Sequence, residues 1–355
     1  MKTWNAIGLM SGSSLDGLDL AAVRITCDNG CYGYQIEVAE TLPYPTYWHD
    51  QLANAFLHQP EELKPLDLEY GSYLGTLVKA FAERHRLHPD FVASHGHTVF
   101  HKPERHFTLQ IGDGQALADA CGFTVVNDFR SEDVSKGGQG APLVPIGDRL
   151  LFADYDICLN IGGIANLSYE LDGRRIAYDV CIANQALNWL AQREGFPYDK
   201  DGQLARKGGV DPQLLEALDN HAFYHQAPPK SLGREFFETF QKRLLAPYKT
   251  EDALASFVEH VARQIALTTN ALPSGKLLIT GGGARNGFLV ERIRQSCQHQ
   301  VVIPDPMTID YKEALIFALL GLLRLTGQTN VLCSVTGAPS DSCSGKIWHP
   351  HPISQ

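Results

Sequence analysis

Two segments of this chain share one layout: an apolar strand, a turn of small residues, then a second apolar strand. In the first, Asn5–Arg24, Ile7-Gly8-Leu9-Met10 runs into Ser11-Gly12-Ser13-Ser14 and leaves through Leu18-Asp19-Leu20-Ala21. In the second, Ile157–Tyr169, an Ile-Cys-Leu-Asn-Ile strand turns at Gly162-Gly163 and continues as Ile-Ala-Asn-Leu-Ser-Tyr. Such a unit at the start and again near the middle suggests two related α/β domains facing one another across a cleft. Coincidence between two common hairpins is the competing explanation.

The first turn also carries chemistry. Successive backbone N–H groups in a small-residue turn can converge on an anion, and glycine lets the backbone approach closely. Ser13 and Ser14 add hydroxyl donors, while Asp16 and Asp19 are hard oxygen ligands suited to Mg²⁺. Phosphate donors beside a metal carboxylate are what a nucleoside triphosphate needs. An ordinary Gly/Ser hairpin accounts for this segment equally well.

The remainder alternates strands and helices. Ala6–Met10, Leu18–Thr26 and Tyr34–Thr41 read as strands, Leu63–Leu87 as an amphipathic helix, and Phe91–Ser94 and Phe123–Val126 as short strands. A helix at Gln115–Cys121 stops at Gly122, and long helices are expected over Glu251–Leu272 and Lys312–Leu325. The 355 residues, 44% hydrophobic and 20% charged, suffice for two substantial cores. Domains are expected over 1–130 plus 336–355 and over 131–335, with Gly137–Pro142 as a crossing and the Gly- and Ser-rich tail packing back on the first domain. A net charge of -10 argues against nucleic-acid and anionic-membrane binding. No secretory signal or membrane-length apolar run is legible, and 8 scattered cysteines fit a reducing compartment, so the expected location is cytoplasmic.

Four further constellations carry chemistry. Leu277–Thr280 leads into Gly281-Gly282-Gly283-Ala284-Arg285-Asn286, where bare backbone could meet an adenosine ring or a phosphate. A dinucleotide fingerprint fits less well, because Asn286 stands where its third glycine belongs. Ser94–His101 holds three histidines; it reads as a polar loop lining a substrate site, a zinc set being incomplete. Asn127-Asp128-Phe129-Arg130 ends a buried strand, and Arg130 could clamp an anion or simply pair with Glu132 or Asp133. Asp179 sits among apolar neighbours, placed either for proton abstraction or to cap a helix starting near Ala183.

Taken together these motifs resemble the anhydro-N-acetylmuramic acid kinase family of the sugar kinase/Hsp70/actin ATPase superfamily. The resemblance spans nearly the whole chain and rests on Gly8–Asp19, Ser94–His101, Gly112-Asp113-Gly114, Asp128–Arg130, Gly137–Pro142, Asn160–Leu167, Thr280–Asn286 and Lys312-Glu313-Ala314 with Phe317-Ala318. It implies an α/β, two-lobed actin-like ATPase (ribonuclease H-like) fold, with mixed sheets flanked by helices and the active site in the interdomain cleft. The implied activity is ATP-dependent opening of the 1,6-anhydro bridge of anhydro-N-acetylmuramic acid with phosphorylation at O6, in cell-wall recycling. The implied alternatives are a related kinase for another sugar and a nucleotide-binding homologue without catalysis.

By the same resemblance Gly12, Ser13, Ser14, Leu15, Asp16, Gly17, Leu18 and Asp19 form the first phosphate loop, with Asp16 and Asp19 towards Mg²⁺. Gly162, Gly163 and Asn166 belong to the second phosphate loop, and Gly281, Gly282, Gly283 and Asn286 to the adenosine loop. Asp179 matches the catalytic aspartate that activates water; His97, Thr98, Arg130, Asn184 and Glu313 fall on the sugar side. A homodimer is also implied. The family follows its aspartate with Thr-Gly-Pro, whereas this chain has Val180-Cys181-Ile182 before Ala183-Asn184.

Overall fold

The computed structural model describes Met1–Gly12, Leu15 and Gly17–Pro352; Ser13, Ser14 and Asp16 of the first expected phosphate loop lie outside the described residues. The chain forms two compact units, one of Met1–Leu151 with Tyr311–Gln355 and one of Phe152–Asp310.

The first unit is built on β1 (Lys2–Ser11), β2 (Leu18–Asp28), β3 (Cys31–Leu42), β4 (Phe91–Ser94), the small hairpin β5 (His97–Lys102) and β6 (Phe107–Ile111), and β7 (Val125–Asn127). The C-terminal strand Lys346–Trp348 completes a sheet in the order C-terminal strand, β7, β4, β1, β2, β3. β1, β2 and β3 run antiparallel in sequence, whereas β4 and β7 run parallel to β1. Tyr70, Leu74, Val78 and Phe81 recur at helical spacing on the helix Lys64–His85 and are fully buried in the core that also holds Ile7, Leu9 and Leu20. Each such burial contributes about 2 kcal/mol. Gly8 has no room for a side chain, since a Cβ there would stand 1.8 Å from the Ala314 carbonyl oxygen. The helix Pro306–Leu325 therefore rests directly on β1.

The second unit uses β8 (Ile157–Ile161), β9 (Ile164–Leu171), β10 (Arg174–Ile182), β11 (Lys276–Thr280) and β12 (Gln300–Val302), ordered β10, β9, β8, β11, β12. Its first three strands are antiparallel in sequence, and β11 runs parallel to β8 and to β12. Leu159, Ile161, Leu277 and Ile279 share a core with Leu254, Phe257, Val258, Val261 and Ile265 of the helix Thr250–Thr269. Strand order and direction repeat those of the first unit, third-second-first-fourth-fifth. This is the ribonuclease H-like arrangement and the expected α/β class of mixed sheets flanked by helices.

The division falls later than 130/131 and earlier than 335/336, the boundaries expected from sequence. Packing explains the difference. Asp133, 1% exposed, accepts the Gly140 N–H at 2.7 Å and the Thr336 hydroxyl at 2.8 Å, so Gly137–Pro142 is pinned inside the first unit rather than crossing out of it. Gly147 lies against Ile316, and a buried Lys312–Asp148 ion pair at 2.7 Å ties the helix Pro306–Leu325 to the helix Pro145–Leu151. No helix among the described residues is long and apolar enough to cross a membrane.

Candidate active site

In the second unit, strand register assembles a polar row. Thr280 on β11 pairs with Asn160 on β8, Asn160 with Asn166 on β9, and Asn166 with Asp179 on β10. Directly opposed residues share a face of a sheet. Residues of the opposite parity, Leu159, Ile161, Leu167 and Tyr178, supply the apolar face. A register irregularity follows Asp179, between it and Cys181, and takes the chain from strand into the helix Asn184–Gln192.

The turn beside this row is shaped by that helix. The Asn184 N–H donates to the Gly162 carbonyl at 3.1 Å, and the Ala183 and Gln185 N–H groups donate to the Gly163 carbonyl at 2.8 and 3.2 Å. In a trans peptide the N–H opposes the C=O. The Gly163 N–H therefore points away from the helix, out of the turn. Asn184 adds its Nδ2, which donates to the Ile161 carbonyl at 3.0 Å.

The glycine loop after β11 abuts the same turn. Gly281 has φ +80°, and a Cβ there would lie 2.6 Å from Asn160 Oδ1; one on Gly283 would lie 2.2 Å from Ile161 Cγ2. Only glycine meets both demands at position 281. Asn286 caps the helix Gly287–Ser296, its Oδ1 accepting the Leu289 N–H at 3.1 Å. Gly162, Gly163, Asn166, Asp179, Asn184, Gly281, Gly282, Gly283 and Asn286 thus gather at one end of one sheet.

Asp179 is half-buried, and burial raises its carboxyl above the ordinary aspartate range. The Leu232 N–H opposes that shift by donating to Oδ2 at 2.8 Å. Among the described residues Oδ1 has no hydrogen-bond partner within the protein. A carboxylate with one oxygen held and its affinity for protons increased is suited to take a proton from water. Asp179 does not cap the helix after it: the N-cap is Ala183. Val180, Cys181 and Ile182, where the chain departs from Thr-Gly-Pro, are buried in the core.

The first unit organises its polar groups differently. The Tyr44 hydroxyl donates to Ser11 Oγ at 2.8 Å, Tyr44 and Tyr70 share a bond of 2.6 Å, and Ser11 Oγ stands 3.0 Å from His97 Nδ1. Burial pushes His97 down to about 4, so its ring is neutral at pH 7. Because Tyr44 donates to Ser11 Oγ, the Ser11 hydroxyl is assigned as donor to Nδ1, which puts the ring proton on Nε2. Thr98 opens the bulge of the β5–β6 hairpin. Gly96 has φ +72° and lies against the Ile111 carbonyl, so the hairpin can start only with glycine there.

Arg130 does not pair with Glu132, which holds Lys136, nor with Asp133. Its Nε and Nη2 donate to His95 Nε2 at 3.2 and 2.9 Å, and Nη1 donates to the Gly140 carbonyl at 2.6 Å. Burial lowers its guanidinium to about 10. His95 also donates from Nδ1 to the Gly96 carbonyl at 2.9 Å, and burial with the nearby guanidinium keeps it neutral. Glu313 feels Arg130 and Lys312, yet crowding by the surrounding protein still raises its carboxyl. Asp19, opposite Met10 on β1 and Thr41 on β3, accepts the Thr41 hydroxyl at 2.6 Å. Leu15 has φ +59°, and Gly17 packs so tightly on the Leu42 carbonyl that a Cβ would stand 2.6 Å away. No cluster of three metal-ligating side chains is found among the described residues, so the histidines of Ser94–His101 make no zinc set there.

Tyr44, Lys230 and Leu232 were not singled out by sequence. Tyr44 lies in an ordinary Pro-Tyr-Pro stretch, and Lys230 and Leu232 in a proline-rich connection with no chemical motif.

A family model described as anhydro-N-acetylmuramic acid kinase matches residues 4–350. Among curated proteins, the anhydro-N-acetylmuramic acid kinase of Pasteurella multocida (strain Pm70) is 36% identical, the alignment covering 96% of this chain and 96% of that protein. The protein of the same name from Pseudomonas putida is 37% identical, covering 96% of this chain and 98% of that protein. That from Vibrio cholerae is 34% identical over 97% and 98%.

Proposed function

Because the chain belongs to the anhydro-N-acetylmuramic acid kinase family, we propose that it uses ATP to open the 1,6-anhydro bridge of anhydro-N-acetylmuramic acid and to phosphorylate O6. The C1–O6 bond breaks as water adds to C1, O6 takes the γ-phosphoryl group, and ADP leaves. The water proton passes to Asp179. The product is N-acetylmuramic acid 6-phosphate, a cell-wall recycling intermediate.

The observation that carries this reading is the setting of Asp179: a half-buried carboxylate with one oxygen fixed by Leu232, in register with Asn166 beside the Gly162-Gly163 turn. Phosphoryl transfer depends on positioning and charge neutralisation more than on covalent chemistry, and the remaining need is a base for water. The outward Gly163 N–H suits a phosphate oxygen, and the bare Gly281–Gly283 backbone suits the adenosine. The neutral His97 Nε2–H and the Glu313 carboxyl are assigned to the sugar with Thr98, Asn184 and Arg130. Arg130 already donates to His95 and Gly140, so its contribution is chiefly to hold that loop. The departure at Val180-Cys181-Ile182 is buried in the core, which supports retention of the family's substrate.

Asp19 is a hard oxygen donor beside the first turn and suits Mg²⁺, with Asp16 as its companion. That ion, when bound, offsets polyphosphate charge. The cytoplasm supplies ATP, and the proposed location is there.

Incubating the protein with ATP, Mg²⁺ and the anhydrosugar, and following ADP by coupled assay and the sugar by NMR, tests the reading. ADP and a 6-phosphorylated, ring-opened sugar should appear one for one. ADP release indifferent to the sugar, or no turnover, contradicts it.

A further inference from the structure

Asp179 is held by a segment that belongs to no strand. Its own N–H donates to the Lys230 carbonyl at 3.1 Å, and its Oδ2 accepts the Leu232 N–H at 2.8 Å. Both of these bonds go to residues 230–232, which lie along the free edge of β10, the end strand of its sheet. That segment follows an exposed run, Ala222 and His225–Pro229; Leu232 packs its side chain on the core at one end, and Lys230 supplies the polar anchor at the other.

Lys230 Nζ donates to the Phe223 carbonyl at 3.1 Å and sits 4.6 Å from the centre of the Phe223 ring. Phe223 is buried, and the adjoining Tyr224 is locked into a polar network inside the unit. Tyr224 Oη meets His260 Nε2 at 3.0 Å and accepts Gln241 Nε2 at 3.0 Å; His260 Nδ1 meets Asp219 Oδ1 at 2.6 Å, and Gln264 donates to the same oxygen at 2.9 Å. The anchor of Lys230 is thus a rigid one. The ammonium grips this turn from the exposed side and fixes the backbone that Asp179 leans on.

We propose that Lys230 is a positioning residue for Asp179. By clamping the 230–232 segment to the 222–225 turn it presents the Leu232 N–H to Oδ2, leaving Oδ1 as the basic oxygen. A backbone N–H that stabilises the carboxylate keeps its proton affinity down, against the effect of burial. Loss of the clamp loosens that bond, raises the proton affinity of Asp179 and scatters its orientation. The other ionisable groups packed around this stretch are Cys181, whose buried thiol stays protonated, and Asp219, whose carboxylate is held by His260 and Gln264.

The inference rests on Asp179 being the base, and its test separates the two ideas. In Lys230→Met, kcat should fall about 10-fold with the KM for ATP unchanged, and the acidic limb of the kcat/KM profile should move to higher pH. Lys230→Arg, which can still donate to the Phe223 carbonyl, should restore both. Independently of turnover, ¹³Cγ-aspartate NMR, with Asp179→Asn identifying the signal, should show the Asp179 midpoint higher in Lys230→Met and back near wild type in Lys230→Arg. An unmoved midpoint in a folded Lys230→Met protein overturns the positioning role even if turnover falls. A moved midpoint in a protein that does not act on the anhydrosugar upholds it while the functional reading fails.

Discussion

The two units share one strand order but use their opening hairpins in different ways. In the second unit β8 and β9 are joined through Gly162-Gly163, and the hairpin's polar side chains, Asn160 and Asn166, line up with Thr280 and Asp179 across four strands. In the first unit Ser11 on β1 faces Leu18 across a longer connection, and its hydroxyl is tied to Tyr44 and His97. Beside the second unit's hairpin, β10 holds a half-buried carboxylate with one oxygen fixed by a backbone N–H; in the first unit, Ser11, Tyr44 and His97 form a chain of neutral groups, and the Asp19 carboxylate on β2 accepts the Thr41 hydroxyl. On the proposed function, the same topology serves a proton acceptor in one unit and groups that bind and orient in the other.

The comparison can be broken through stability, and the largest effect is expected at Gly8. A Cβ there meets backbone 1.8 Å away, so Gly8→Ala should cost about 3 kcal/mol in urea unfolding, since neither β1 nor the helix Pro306–Leu325 can yield. Gly281→Ala in the second unit forces a residue at φ +80° against Asn160 Oδ1 and should cost roughly 1–3 kcal/mol, while also raising the KM for ATP. If Gly281→Ala spares ATP binding, the adenosine assignment is wrong.

Next is pH. His97 lies at about 4 in the folded first unit, below its value of about 6.5 when unfolded. The native state therefore binds fewer protons between those values, and its stability is complete above about pH 6.5 and is lost as pH falls towards 4. Of the stability that wild type loses from pH 7 to pH 5, His97 should account for on the order of 2 kcal/mol, with His95, also held neutral by burial, adding to the loss, so His97→Gln should lose measurably less. Equal slopes would remove His97 from the account. The smallest effect is expected from Ser11→Ala, which strips Tyr44 and His97 of a partner and should cost about 1–2 kcal/mol without raising the KM for ATP.

The strand–turn–strand units and their glycine turns were legible in sequence because period-two apolar patterns and glycine placement act locally, whereas Asp179 read equally as a helix cap and its role as a base came from the family resemblance. The helix Lys64–His85 was legible for the same reason, from the spacing of Tyr70, Leu74, Val78 and Phe81. The row through Thr280, Asn160, Asn166 and Asp179 depends on register among four strands, two of them more than a hundred residues apart, which no local pattern encodes. Arg130 read as an anion clamp or a surface ion pair; its bonds to His95 and the Gly140 carbonyl come from tertiary packing. The unit boundaries moved for a similar reason, because Asp133 and Ile316 bind neighbouring segments to the first sheet. Lys230 was invisible because its work is done through backbone groups of other residues.

The central claim is that Asp179 removes a proton from the attacking water, and turnover of Asp179→Asn tests it most directly. The account predicts a kcat lower by roughly 10²–10⁴-fold on the anhydrosugar, with ATP bound as tightly as by wild type. Wild-type kcat in a folded Asp179→Asn protein would contradict it.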